Sequence, residues 1–248
     1  MNLETTHFVK MLDVPVNTFG RPGMIHPTLI VDGDNVILVD TGYPSQLAPV
    51  REAMQLAGVP FERLNKVILT HHDIDHLGGL REILSELPGR VRVLAHAEEK
   101  AYIEGGKRPL KLAKMEANLD TLPESMKGFY PTFKHAFENA TVPVDETLAD
   151  GEELLFCGGI TVIFTPGHTL GHISLYVKED KTLIAGDALC VENGVLNIAA
   201  AANNYDLDLC KESMKKLTNY DIEIVFCYHG GLYQDQPNQR IAALATEL

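Results

Sequence analysis

The sequence predicts an α/β protein in which two β-sheets pack face to face with helices on the outside. Three observations carry this expectation. Short apolar, β-branched runs recur in two halves of the chain, each mixed with helical periodicity. A helix-rich stretch at about 97–147 separates the halves. Five of the apolar runs end in a polar residue, Asp40, His71, His168, Asp187 and His229, four of them next to or one residue from a glycine or proline. Polar groups presented at strand ends are a general way in which layered folds build sites.

Taken in order, residues 7–19 alternate loosely and predict a first strand, and Pro15, Gly20, Pro22 and Gly23 predict a loop after it. Thr28–Val31 and Val36–Val39 read as strands joined by Asp32-Gly33-Asp34-Asn35, a strong hairpin signal. Residues 45–58 carry the stripe Leu47, Val50, Met54 and predict a helix that stops at Gly58. Lys66–Leu69 is a strand, Leu80–Leu87 a helix halted by Pro88-Gly89, and Val91–Ala95 a strand ending at His96. Between 97 and 147, Leu112, Met115, Leu119 and Leu122 recur at helical spacing, and Phe129, Phe133 and Phe137 follow. That segment predicts two or so helices inserted over the site, serving as a substrate lid or dimer contact as readily as plain core. In the second half, Glu153–Phe156, Ile160–Phe164, Ser174–Val177, Thr182–Ala185 and Ile222–Tyr228 read as strands, with a helix at about 206–217.

Composition narrows the function. A formal net charge of −13 disfavours nucleic acid, whose phosphates require a basic face, and disfavours anionic membrane surfaces. The four cysteines, Cys157, Cys190, Cys210 and Cys227, form no Cys-x-x-Cys pair and predict reduced, buried thiols. The N-terminus shows no basic-then-apolar leader, and no apolar run reaches spanning length, so a cytoplasmic protein is expected.

The chemistry concentrates in Thr70-His71-His72-Asp73-Ile74-Asp75-His76-Leu77-Gly78-Gly79, directly after a buried strand. Three histidines and two aspartates in six positions would be a costly thing to bury without a cation between them. Imidazole and carboxylate are both good ligands for first-row divalent metals. Adding the strand-end residues gives His71, Asp73, Asp75, His76, His168, Asp187 and His229. Seven donors exceed one tetrahedral ion and suit two ions sharing a carboxylate, held roughly 3.5–4 Å apart with an oxygen between them.

This set resembles the metallo-β-lactamase superfamily, whose hallmark is His-x-His-x-Asp-His followed by a distant His, an Asp and a last His. The resemblance also rests on Asp40-Thr41-Gly42, on Thr165-Pro166-Gly167-His168-Thr169-Leu170-Gly171-His172, on Gly186-Asp187 and on His229-Gly230, and it spans essentially the whole chain. It implies one domain over 1–248 with a four-layer αββα sandwich of two mixed sheets and the metal site at one edge. It further implies that His71, Asp73 and His168 bind one ion, that Asp75, His76 and His229 bind the other, and that Asp187 bridges. Zinc is the ion expected by family. The chain departs from the pattern at Asp73, where the family has His. With Asp73, three carboxylates and a hydroxide would balance two divalent cations. A carboxylate there tilts selectivity toward iron or manganese and resembles the flavodiiron branch, although no flavodoxin-like domain follows. His72 and His172 are expected to support the ligands rather than bind, and Asp40 to orient a ligand histidine.

The implied activity is hydrolysis of a small-molecule ester, lactone or thioester by a metal-bridging hydroxide, with Asp75 and Asp187 catalytic. The competing class is a di-iron or mono-iron redox enzyme; a phosphodiesterase and a non-catalytic metal-binding protein rank lower. The quorum-quenching lactonases are similar in size, but their Tyr three residues beyond the bridging Asp is Cys190 here. Tyr43 and Tyr228 are candidate donors in its place, and His26, Met115, Phe129 and Phe133 are candidate walls of the substrate pocket.

Overall fold

The computed structural model describes residues 7–18 and 21–247. Two six-stranded mixed sheets form its centre. The first sheet runs, in spatial order, His7–Met11, Thr28–Asp32, Asn35–Val39, Lys66–Leu69, Arg92–His96 and Glu146–Leu148. Its last four strands are parallel, and the others are antiparallel. The second sheet runs Gly231–Tyr233, Ile224–Cys227, Thr182–Gly186, Ile173–Val177, Ile160–Phe164 and Glu153–Leu154, with one parallel pair, Thr182–Gly186 beside Ile224–Cys227.

Alternation along each strand explains the layering. In Asn35–Val39, Ile37 and Val39 point to the space between the sheets, where they meet Ile160, Val162, Ile173, Leu175 and Ile184 of the second sheet. Val36 and Leu38 point the other way and pack against Val50 and Met54 of helix Leu47–Leu56 and Leu80 and Ile83 of helix Leu80–Glu86. Leu183 and Val225 likewise leave the inter-sheet space to meet Met214 and Leu217 of helix Leu207–Leu217 and Ile241 and Leu244 of helix Pro237–Glu247. Strands covered on both faces are apolar at most positions, so they read as near-continuous hydrophobic runs. Each such Leu or Ile contributes about 1.5–3 kcal/mol by leaving water. The result is the αββα sandwich.

Several local expectations need correction. The segment read as a loop after the first strand is a hairpin, Val14–Thr18 paired with Arg21–Ile25; Gly20 lies outside the described residues. Its ends are held because Val14 and Ile25 are buried. Its prolines are tolerated because a two-stranded ribbon has free edges on both sides. The 97–147 segment holds three helices, Ala97–Ile103, Leu110–Ala117 and Glu124–Ala140, and then returns to the first sheet as its edge strand. The hairpin Cys190–Glu192 with Val195–Asn197 and the helix Pro237–Glu247 were not anticipated. All four cysteines are buried and free. Among the described residues, no helix is long and apolar enough to cross a membrane.

Candidate metal centre

The centre forms where strands of both sheets end on the same side. Asp40 follows strand Asn35–Val39 in a left-handed backbone conformation, φ +63°, a strained geometry for a non-glycine residue. Its carboxylate holds that geometry by accepting from Thr70 N at 2.9 Å and Thr70 Oγ1 at 2.8 Å, and from His76 Nδ1 at 2.8 Å. The chain then passes so close to residue 79 that a Cβ there would lie 2.3 Å from the Thr41 carbonyl oxygen, which is why glycine follows the motif.

Three ligand-type histidines are oriented in one way. Nδ1 of His71 donates to Thr70 Oγ1 (3.0 Å), Nδ1 of His76 to Asp40, and Nδ1 of His168 to Asn204 Oδ1 (3.2 Å). Each Nε2 is therefore left as a lone-pair donor facing the centre. Asp73 occupies the N-cap position of the short helix Ile74–Leu77, yet its side chain caps nothing there. It turns instead to His71 Nε2 at 3.2 Å and His168 Nε2 at 3.0 Å.

Two groups of donors result: His71, Asp73, His168 and Asp187, and next to them Asp75, His76 and His229. In the first, Asp187 Oδ2 lies 3.3 Å from His168 Nε2 and 4.0 Å from His71 Nε2. In the second, Asp187 Oδ1 lies 3.3 Å from His76 Nε2 and 3.5 Å from His229 Nε2, while Asp75 Oδ2 lies 3.1 Å from His229 Nε2 and 3.8 Å from His76 Nε2. Four tetrahedral donors at the usual 2.0–2.2 Å from a zinc-like ion stand about 3.3–3.6 Å from one another, so both groups have the span of an ion's coordination shell. The two oxygens of Asp187 face different groups. Asp73 Oδ1, His76 Nε2 and Asp187 Oδ1 are buried without a hydrogen-bond partner among the described residues. Unpaired buried imidazole and carboxylate atoms gathered at one place fit the donor chemistry of divalent cations.

The charges around them agree. Burial works against ionising Asp73, but the Lys111 ammonium 2.5 Å away, with His168 and His71, holds its carboxyl well below the usual carboxylate range. Burial likewise opposes ionisation of Asp187, and His229, His76 and His168 overcome it. Burial alone would lower His76; Asp187, Asp40 and Asp75 instead raise it well above its ordinary value, so without an ion its Nε2 holds a proton that an arriving cation would have to displace. Lys111 was not among the residues singled out by sequence, and it changes the expected charge balance: its positive charge offsets the one that Asp73 in place of His removes.

His72 and His172 face away from both groups. His72 donates from Nδ1 to the fully buried Glu99, and its Nε2 accepts from Leu110 N at 3.3 Å. Glu99 also accepts from His72 N, Thr169 Oγ1 and Gly171 N at 2.7–2.9 Å, joining the two ligand-bearing loops. His172 Nε2 accepts from Asp187 N at 3.0 Å, and a Cβ on Gly186 would stand 2.6 Å from that nitrogen. Glu99, Asn204 and Lys111 were missed because nothing local marks them: Glu99 is one of two adjacent glutamates on a helix, and Lys111 one of several lysines in the insertion.

Two cavities meet at the centre, sharing Asp75 and Lys111. One, of about 490 Å³, is walled by Tyr43, Ile74, Phe129, Phe133 and Phe137. The other, of about 360 Å³, contains His168, Asp187, Cys190 and His229. Of the proposed substrate residues, Tyr43, Phe129 and Phe133 line the larger cavity. Three do not belong there. Tyr228 is buried, its ring against His76, with its hydroxyl donating to the Asp75 carbonyl. The His26 ring bonds Asp13 Oδ1 at 3.0 Å, and Met115 is buried away from both cavities.

Comparison with known proteins agrees with this arrangement. Residues 20–229 match the sequence model of the metallo-beta-lactamase superfamily. A probable metallo-hydrolase, YflN of Bacillus subtilis, is 29% identical over 209 residues, covering 78% of this chain and 75% of its own. A hydroxyacylglutathione hydrolase of Gloeobacter violaceus is 29% identical over 147 residues, 59% of this chain and 42% of its own. The crystal structure of the metallo-beta-lactamase family protein TTHA1429 from Thermus thermophilus superposes with a TM-score of 0.74 at 26% identity, over 96% of this chain and 78% of that one.

Proposed function

The chain belongs to the metallo-β-lactamase superfamily and is a metallo-hydrolase, and from that premise we propose that it cleaves a small-molecule ester, lactone or thioester with an apolar body. The observation that carries the metal reading is Asp187, whose two oxygens face separate donor groups. His71, Asp73, His168 and Asp187 would hold one divalent ion, and Asp75, His76, His229 and Asp187 the other. Bound there, such ions supply a water nucleophile at neutral pH and stabilise developing negative charge.

The protein's own residues set the rest. Thr70, Asp40 and Asn204 keep three imidazoles aimed at the centre. Asp75, on the edge shared by the two cavities and held ionised by His76 and His229, is placed to take the proton released by the attacking water and deliver it to the departing oxygen or sulfur. The larger cavity, lined by Phe129, Phe133 and Phe137 of one helix and reaching Asp75, suits an apolar acyl or alcohol portion. The hydroxyacylglutathione hydrolase among the relatives acts on an acyl thioester by its name, which supports that substrate class. Helices within 97–147 supply much of the cavity wall, so we read the insertion as a lid. The net charge of −13 supports a small-molecule substrate over nucleic acid.

The test is a panel of esters, lactones and thioesters of graded acyl length. Turnover is expected to rise with apolar length, to vanish on chelation and to return with added metal. Metal-loaded protein that ignores all three classes but cleaves phosphodiesters would replace this reading. Because Asp73 favours harder ions, metal content of protein from its native host decides between zinc and iron or manganese; redox-active iron with no hydrolytic turnover would favour the oxidoreductase alternative.

A further inference from the structure

Lys111 is a cation already resident at the first donor group. It rises from helix Leu110–Ala117 and places Nζ 2.5 Å from Asp73 Oδ2 and 3.4 Å from His168 Nε2. These are the same two atoms that face His71 and Asp187 within that group. Its charge also reaches Asp75 of the second group, but more weakly than Asp73, and among the described contacts no ammonium comes within ion-pair distance of Asp75, His76 or His229, whose ion-pair partners outside their own group are Asp187 and, from behind, Asp40.

We propose that Lys111 competes with a metal ion for the first position, so that the two positions bind metal with unequal affinity. The proposal rests on the metal-centre reading above. The chemistry is simple. A neutral imidazole has one lone pair on Nε2, so His168 cannot serve the ammonium and an ion together. The ammonium also repels an incoming dication across a few ångströms of partly dry protein. The helix itself is pinned, by Leu110 N to His72 Nε2 at 3.3 Å and by Lys114 Nζ to the Ala202 carbonyl at 2.9 Å. The Lys111 side chain is 36% exposed. An arriving ion therefore needs the side chain to swing out, not the helix to leave. Once displaced, the ammonium stays beside the centre, on the wall common to both cavities, where it can meet an anionic group of the substrate.

Calorimetric titration of zinc into the chelator-stripped full chain tests this without reference to activity. Wild type is expected to bind two ions in separate steps. Lys111→Met should tighten the weaker step by about tenfold or more and leave the stronger one nearly unchanged. Lys111→Arg, which keeps the charge, should preserve the separation, and His71→Ala should remove the weaker step, identifying it with the first position. Two steps of equal affinity in wild type, or a weaker step that Lys111→Met does not move, would overturn the proposal while leaving the metal centre intact. Absence of zinc binding in wild type and Lys111→Met alike would defeat the metal-centre reading, and the competition with it. A single cooperative unfolding transition above the titration temperature in each stripped variant shows that the change in binding is not a loss of the fold.

Discussion

The two halves of the centre are unlike. The first, His71, Asp73, His168 and Asp187, is buried throughout and is approached by a lysine from the insertion. The second, Asp75, His76 and His229, contains His229, whose side chain is 38% exposed, and among the described residues no lysine comes within ion-pair distance of it. One carboxylate joins them. The difference shows how a symmetrical-looking ligand pattern in sequence yields two positions with different electrostatics, because each inherits its neighbours from a different part of the chain. Buried donors facing an ammonium make a guarded position; partly open donors backed by Asp40 make an accessible one.

The largest test removes the joint. Asp187→Ala should leave neither position able to hold an ion firmly, with metal content falling toward zero. Activity on whichever ester or thioester proves best should drop at least a thousandfold, about 4 kcal/mol of transition-state stabilisation. Two ions retained per chain would show that the halves are independent.

Next comes Glu99→Gln, which strips a charge from a buried pair that ties the first position's two loops together. Breaking such a pair costs about 3 kcal/mol, read as a lower unfolding temperature. His72 and neighbouring donors overcome the effect of burial to hold the Glu99 carboxyl below its ordinary 4.5. Its stabilising contribution is thus complete above that value and disappears as pH falls through the lower folded value. Wild type should lose stability in acid more steeply than Glu99→Gln; parallel curves would mean that Glu99 is not ionised in the fold.

Asp40→Asn targets the other half. Weakening the direct hydrogen bond behind His76 should cost the second position roughly 10–100-fold in affinity, and the first a smaller amount passed on through Thr70, which links Asp40 to His71, measured by the same titration. Asp73→His should sharpen the contrast from the opposite side: it removes the anchor of Lys111 and should move metal preference toward zinc. The smallest effect is expected from Phe133→Ala, which widens the larger cavity without removing a donor. It should shift preference among acyl lengths by about 10-fold, roughly 1–3 kcal/mol per methylene-scale misfit being the usual limit, with metal binding unchanged.

Legibility followed the range of the interactions. The end of strand Lys66–Leu69 could be placed to the residue, since Val67, Ile68 and Leu69 form a run covered on both faces that stops where polar groups begin. The hairpin Val14–Thr18 with Arg21–Ile25 escaped because its prolines and glycine are loop signals locally, and only the burial of Val14 and Ile25 holds it in place. Tyr228 looked like a donor by its adjacency to His229, but its hydroxyl is committed to the Asp75 carbonyl. Glu99 and Lys111 carried no local mark at all.

By itself the sequence determined the layered architecture, the strand ends at which chemistry gathers and the donor types that cluster there. It could do so because alternation, turns and ligand spacing act over a few residues. Only the tertiary structure decided which donors share a position, that Asp187 faces both, that Glu99 clamps two loops from within, and that a lysine from the insertion reaches Asp73. Those facts depend on distances between residues 38 to 116 positions apart along the chain (Asp73 to Lys111, Glu99 to Thr169, His71 to Asp187), and short-range pattern carries no record of such distances. The sheets bring those residues together, and the charges then settle the balance between them.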